Sequence, residues 1–279
     1  MSARPLTDLR RLSINDATTK VQWTLEEEIR GYAELGIPGI SIWRDKLAEC
    51  GVAKAAALLR EHRMTVTGLC RGGMFPAATA AQRQAAIEDN WRAIDDAAAL
   101  EAQCLVLVVG GLPPGSRDII GARQMVLDGL HAIIEHARQA GMPLAIEPLH
   151  PMYAADRACV NSMAQANDLC DAVGEGLGIA LDVFHVWWDP MLEAEIRRAG
   201  KSRLLAFHIC DWLVPMQDML LDRGMMGDGV IDIPLIRGWV EDAGYDGFHE
   251  VEIFSAHHWW KKPAPDVLEV CKARYLSVV

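Results

Sequence analysis

The chain has no CxxC pair, no excess of basic residues, no membrane-length apolar run and no Gly-rich fingerprint after its first apolar segment. Each absence removes a class of protein. Its seven cysteines are scattered and odd in number, which argues against a disulfide framework. Free thiols suit a reducing cytosol, so a cytoplasmic location is expected. The formal net charge is −11, the wrong sign for a protein that grips nucleic acid or an anionic membrane. No stretch approaches the roughly 20 apolar residues of a membrane helix. The N-terminal MSARPLTDLRRLS also lacks the apolar core of a secretory signal. RLSINDATTK carries no GxGxxG, which an open dinucleotide-binding sheet would show at that place.

What is present is alternation. Short β-rich apolar runs (RLSINDA, GISIWR, TVTGLCR, CLVLVVGG, PLAIEPL, GIALDVF, LLAFHIC and HEVEIFS) are each followed by an amphipathic, Ala/Leu-rich stretch. The last of these stretches is PDVLEVCKARYL. Gly36, Gly141, Gly174, Gly200 and Gly244 stand where helices would end before the next strand. The continuous apolar character of LVLVV suits parallel strands covered on both faces. Eight such pairs without an obvious linker predict a single-domain α/β protein over residues 1–279, a (β/α)8 TIM barrel.

Charged groups are rare in buried runs unless something compensates them. Four of these runs end on one: Glu147 in PLAIEPLH, Asp182 in GIALDVFH, His208 in LLAFHICD and Glu252 in FHEVEIFS. In a barrel, the C-terminal strand ends carry the active site. Three carboxylates and an imidazole would hold one divalent metal ion, Mn2+ by first expectation, with Mg2+, Co2+ or Zn2+ also suited to the set. Singly, each residue would serve as an ion pair or a cap; four on successive strands favour the metal. His185, three residues after Asp182, is a candidate fifth ligand, proton shuttle or substrate contact, with a neutral core imidazole as the alternative. His150, three residues after Glu147, is a candidate acid or base if it faces the cleft, and a loop cap if it does not. Asp211 is a candidate for orienting an imidazole or a bound water. Arg223 could clamp a sugar hydroxyl or a carboxylate. Trp187, Trp188, Trp212, Trp259 and Trp260 could stack on a sugar ring or simply pack, and Met225 and Met226 could line the pocket. Cys70 and Arg71 could face the same cleft.

The blocks EPLH, LDVFH, FHICD, DRGMMGDGVID and VEIFS resemble the xylose isomerase-like TIM barrels, a superfamily of sugar isomerases, 3-epimerases and type 2 AP endonucleases. The resemblance covers nearly the whole chain. In the ketose 3-epimerases it implies Glu147, Asp182, His208 and Glu252 as metal ligands, with both glutamates also exchanging the substrate proton. His185 and Arg223 then touch substrate oxygens. Those epimerases place a further glutamate where this chain has Tyr153. The E-x-x-H arrangement of Glu147 and His150 is instead similar to the catalytic subunit of C-glycoside deglycosidases, lyases of 3-oxo-glucosides in which His150 would be the base. The resemblance thus implies a metal-dependent sugar isomerase or epimerase, with that lyase as the alternative. A nuclease is disfavoured by the acidic balance, and a non-catalytic sugar-binding barrel by the intact ligand set. The expected partner is a small sugar or sugar derivative. Self-association into a homo-oligomer is also expected, or pairing with a small second subunit if the chain is deglycosidase-like.

Overall fold

Capping side chains mark where the amphipathic stretches turn into helices. Thr24 opens the helix Leu25–Glu34 and Thr79 opens Ala80–Ala99, each in a reciprocal box with Glu27 or Gln82. Asp118, Ser162 and Asp232 cap Ile119–Gln139, Met163–Val173 and Ile233–Asp242. Each such cap stabilises its helix by about 1 kcal/mol. At the other ends, Gly36, Gly141, Gly174, Gly200 and Gly244 all take positive φ, as the sequence leads one to expect. One expected helix is two. Gly51, at φ 87°, separates Arg44–Cys50 from Val52–His62.

The computed structural model describes residues 5–279; the first four residues of the N-terminal segment read above lie outside them. The apolar runs form eight parallel strands: β1 Leu12–Asn15, β2 Gly39–Trp43, β3 Thr65–Gly73, β4 Leu105–Val108, β5 Leu144–Ile146, β6 Leu177–Asp182, β7 Leu204–Ile209 and β8 His249–Val251. They close into a barrel in the order β1-β8-β7-β6-β5-β4-β3-β2. The helices form the outer layer, ending with Ala264–Val278. The chain is therefore a TIM barrel. No helix among the described residues is long and apolar enough to cross a membrane.

The large apolar core lies between strands and helices and includes Ile14, Ile40, Leu107, Ile146 and Leu181. A small second cluster of Cys70, Cys104, Val106, Ala145, Ala180 and Ala206 packs on the other strand face, inside the barrel. Residues two apart on a strand share a face. Ala145 thus stands below Glu147, Ala180 below Asp182, and Ala206 below His208. The small methyls leave room for the polar groups one layer above them.

Just past β1, Asp16 is fully buried; one of its oxygens accepts the Trp43 N–H at 2.9 Å and the other has no donor among the described residues. Burial pushes Asp16 up to about 7, against the pull of Lys46, and pushes Glu28 well above the usual carboxylate range. Because the folded value of Asp16 lies above its ordinary 3.8, the fold holds that proton more tightly than the unfolded chain does. The associated stability is complete at low pH and is lost as pH rises towards about 7. Asp16→Asn keeps the acceptor for Trp43 and removes the charge. Thermal melts at pH 5 and pH 8 should show the wild type losing several degrees more than the variant. An equal loss in both proteins would contradict this reading.

Candidate metal centre and substrate cleft

The four strand-end residues meet. Asp182 is the last residue of β6 and pairs in register with His208 of β7. Glu147 follows β5 by one residue, and its N–H continues the ladder to Leu107 O at 3.1 Å. Glu252 does the same after β8, to Ile209 O at 3.1 Å. One donor atom from each of Glu147, Asp182, His208 and Glu252 lies within 4.8 Å of the others, and all four residues are buried.

The His208 ring is oriented from both sides. Its Nδ1 faces Glu147 Oε1 at 3.0 Å and Glu252 Oε2 at 3.7 Å, while Nε2 faces Glu250 Oε1 at 3.5 Å. A carboxylate behind an imidazole favours the proton on the far nitrogen and turns the near lone pair towards an ion. Glu250 is held by Asn15 Nδ2 at 2.8 Å and by the Thr67 hydroxyl at 2.9 Å. Asn15 Nδ2 also donates to Glu252 Oε1 at 3.1 Å. Sequence reasoning did not single out Glu250. The signal was there, since HEVE places it on the same strand face as Glu252.

The cluster is short of positive charge. Arg223 is its one buried guanidinium, with Nη1 2.8 Å from Asp182 Oδ2 and 3.1 Å from Glu252 Oε2. The Phe184 and Phe254 rings flank it at 4.5 Å and 5.2 Å. Burial pushes Glu252 up, but the Arg223 and His208 charges outweigh it and bring the carboxyl down to about 2. Burial, with Glu252 and Asp182 nearby, pushes Glu147 up to about 7 despite its bond to His208. One guanidinium, even with the His208 charge added, does not offset three buried carboxylates and Glu250 behind them. Hard oxygen donors plus one imidazole, converging and underneutralised, fit a divalent cation.

His185 and Arg223 are placed together. His185 Nδ1 accepts the His150 N–H at 3.2 Å, and its Nε2 lies 3.2 Å from Arg223 Nη2. Burial pushes His185 down to about 3, so the ring is neutral. Several further candidates fall outside the cleft or serve the fold. His150 does not line the cleft. Its ring packs at 5.0 Å from Trp212 and 5.6 Å from Trp188, and its Nδ1 accepts the Met152 N–H. A proline turn at Pro151 and these aromatic neighbours hold it as a loop cap. Trp187 packs on Trp212 at 5.7 Å, and Trp188 donates to His185 O at 2.8 Å, so neither forms a wall of the cleft. Asp211 orients no imidazole; its carboxylate accepts the N–H groups of Trp212, Gly227 and Ile231 and so folds the loop that delivers Arg223. Met225 and Met226 are fully buried in the outer core, and Trp260 donates to Ala17 O at 2.8 Å. Replacing His150 by Ala should therefore leave metal content unchanged and cost less than about ten-fold in rate, below the usual 10²–10⁴ of an acid or base. A thousand-fold loss of kcat with metal retained would restore it as the base.

The cleft above the centre is small, about 380 Å³ when the open solvent at its mouth is included. Glu147, Glu252, His185 and Arg223 line it, and so does Arg71, the weaker of the sequence candidates. Sequence reasoning missed Trp43, Phe254 and Arg157 as wall residues, and it read Tyr153 only as a departure from a pattern. Trp43 ends β2, so a survey of every strand end would have found it, as the reading of β3 found Arg71.

A closed barrel with acidic and imidazole groups at its C-terminal mouth defines a class, and comparison with known proteins defines the family. The chain belongs to the xylose isomerase-like TIM barrel family, which matches residues 29–274. It is similar to a crystal structure of the protein SMc04130 from Sinorhizobium meliloti 1021, with 56% identity, 97% of this chain and 99% of that one covered, and a TM-score of 0.96. It shares its fold with the IOLI protein solved with a bound zinc atom, at 21% identity, 96% and 98% coverage and a TM-score of 0.83. It is also 25% identical over 154 residues to an inosose isomerase of Halalkalibacterium halodurans strain C-125. That match spans 54% of this chain and 52% of the relative, about half the length of each.

Proposed function

We propose that this chain is a divalent-metal-dependent isomerase or epimerase of a sugar or polyol-like carbonyl compound. The observation that carries the reading is the position of Glu147 and Glu252. Both lie in the wall of one small cleft, and both also face the Nδ1 side of His208. The inosose isomerase relative supports the isomerase class, and the zinc atom bound in the IOLI neighbour supports the metal.

Glu147, Asp182, His208 and Glu252 would hold the ion, with Mn2+ expected first. A bound divalent ion supplies Lewis-acid stabilisation of negative charge on neighbouring substrate oxygens. The chain's own groups move the proton. Glu147 and Glu252 rise from strands separated by β6 and β7, so they reach a substrate between them from two sides. One carboxylate takes the proton from the carbon next to the carbonyl. The other returns a proton to the opposite face, or to the neighbouring carbon. Environments that drive two carboxyls apart, as these do, suit an acid and base pair. Neutral His185 and cationic Arg223 hold substrate oxygens, and Trp43 and Phe254 shield the site from water. The elimination route would need His150 as base, and its ring is turned away.

The test is turnover after chelation and reloading. Protein stripped with EDTA and reloaded with Mn2+, Mg2+, Co2+ or Zn2+ would be incubated with ketoses and inososes and the products read by NMR. An isomer or epimer should form only in reloaded protein. Turnover that survives complete metal removal would contradict the reading.

A further inference from the structure

Two guanidinium groups in the cleft wall have nothing to bind. Arg71 and Arg157 both line the cleft, and among the described residues neither side chain makes an ion pair or a hydrogen bond. Arg157 only stacks, 5.7 Å over the Tyr153 ring. Both are half-buried. Arg30, Arg60, Arg63 and Arg117 also lack carboxylate partners, but they lie on exposed surface, where water serves them. A half-buried cation facing a cleft has lost part of its hydration with no anion in exchange.

Both backbones are fixed. The ladder between β3 and β4 runs from Cys70–Val106 to Gly72–Leu107 and skips Arg71, which makes Arg71 the extra residue of a bulge. Bulges beside active sites re-aim side chains. Arg157 donates its N–H to Tyr153 O at 3.0 Å, and its carbonyl accepts the Gly110 N–H at 2.9 Å, which anchors it just beyond β4. In the closed barrel β3 stands opposite β7, the strand of His208. The two free cations thus flank the end of β4, while the carboxylates gather around β5 to β8.

We propose that the substrate carries an anionic terminal group, a carboxylate or a phosphate monoester, held by Arg71 and Arg157 while its carbonyl end lies between Glu147 and Glu252. The proposal rests on the cleft being the substrate site, as in the reading above, and it names the substrate class: a sugar acid or a sugar phosphate in place of a neutral sugar. The arrangement also sets direction. The acidic wall repels the charged end, and planar guanidinium forks match carboxylate and phosphate oxygens. An anion reversed in the cleft would face buried carboxylates.

The test is binding, measured apart from turnover. Calorimetry on metal-loaded protein would compare glucitol with gluconate and with glucitol 6-phosphate, three polyols that differ in terminal charge. At least one anionic probe should bind about ten-fold or more tighter than glucitol. Arg71→Met and Arg157→Met should each remove most of that preference with little change in the thermal midpoint, since neither guanidinium has an ion pair or a hydrogen bond to lose. Arg157→Lys should retain part of it, and Arg117→Met all of it. The stronger anionic arm identifies the group. Equal binding of all three probes, no measurable binding of either anion, or a preference that persists in the double variant would overturn the proposal. Anion preference lost in the double variant, in a protein that never isomerises any substrate, would sink the isomerase reading alone. Metal-dependent turnover of neutral ketoses, unchanged in the double variant, would sink this proposal alone.

Discussion

Replacing Glu252 by Gln should abolish turnover and weaken metal binding in the same protein. The substitution changes one oxygen to an amide nitrogen, so the loss is of charge and lone pairs with shape retained. Glu252 Oε2 lies 3.1 Å from Arg223 Nη1 and 3.7 Å from His208 Nδ1, and Oε1 accepts from Asn15. The residue is thus tied to the Arg223 guanidinium and to the polar layer beneath, and in the proposed reading it also holds the ion. Losing a proton carrier alone costs about 10²–10⁴ in rate. Loss of a ligand adds to that, so kcat/KM should fall by at least about 10³. Metal content after exhaustive dialysis, measured beside the kinetics, checks both parts. Stoichiometric metal with full turnover would refute the ligand assignment.

Arg223→Met should destabilise the metal-stripped protein by about 3–5 kcal/mol, the usual result of removing one partner from a buried ion pair. Asp182 has no exposed surface, and its Oδ2 is 2.8 Å from the Arg223 guanidinium. Without Arg223, it and Glu252 face each other beside Glu147 with only His208 to offset them. Methionine preserves the packing between Phe184 and Phe254, so the loss reports charge more than volume. A fall of about 10 °C in the metal-stripped thermal midpoint follows. Saturating Mn2+ should recover part of it, because an ion in the quartet supplies the missing charge. An unchanged midpoint in metal-stripped variant and wild type would show that Arg223 neutralises nothing.

The barrel was legible in the sequence because its signals are local. Apolar runs, helix caps and terminal glycines each act within a few residues. The quartet was legible for a related reason: a charged residue at the end of a buried run stands out, and the barrel brings such ends together. Orientation beyond the strand ends was not legible. His150 and Asp211 each follow a quartet residue by three positions, yet one turns into an aromatic nest and the other ties down a loop. The first outcome depends on Trp212 and the second on Gly227 and Ile231, partners that no short spacing connects to His150 or to Asp211 respectively. The tryptophan pairs misled because adjacency in sequence says nothing about which ring meets which. Arg71 was legible as a strand-end residue, but the bulge that aims it was not. Glu250 and the alanines below the quartet follow from period-two alternation alone, and they define the inner face more sharply than the charges do.

Exchange of carbon-bound protons in D2O tests the proton-transfer chemistry most directly. Mn2+-loaded protein and an EDTA-stripped control would be incubated with ketoses, sugar acids and keto-sugar phosphates and followed by NMR. Glu147 and Glu252 acting as proton carriers beside a bound ion predict deuterium at the carbon next to the carbonyl, in the loaded protein only. A protein that holds metal stoichiometrically and binds one of these compounds in the cleft, yet leaves every carbon-bound proton in place, would contradict it.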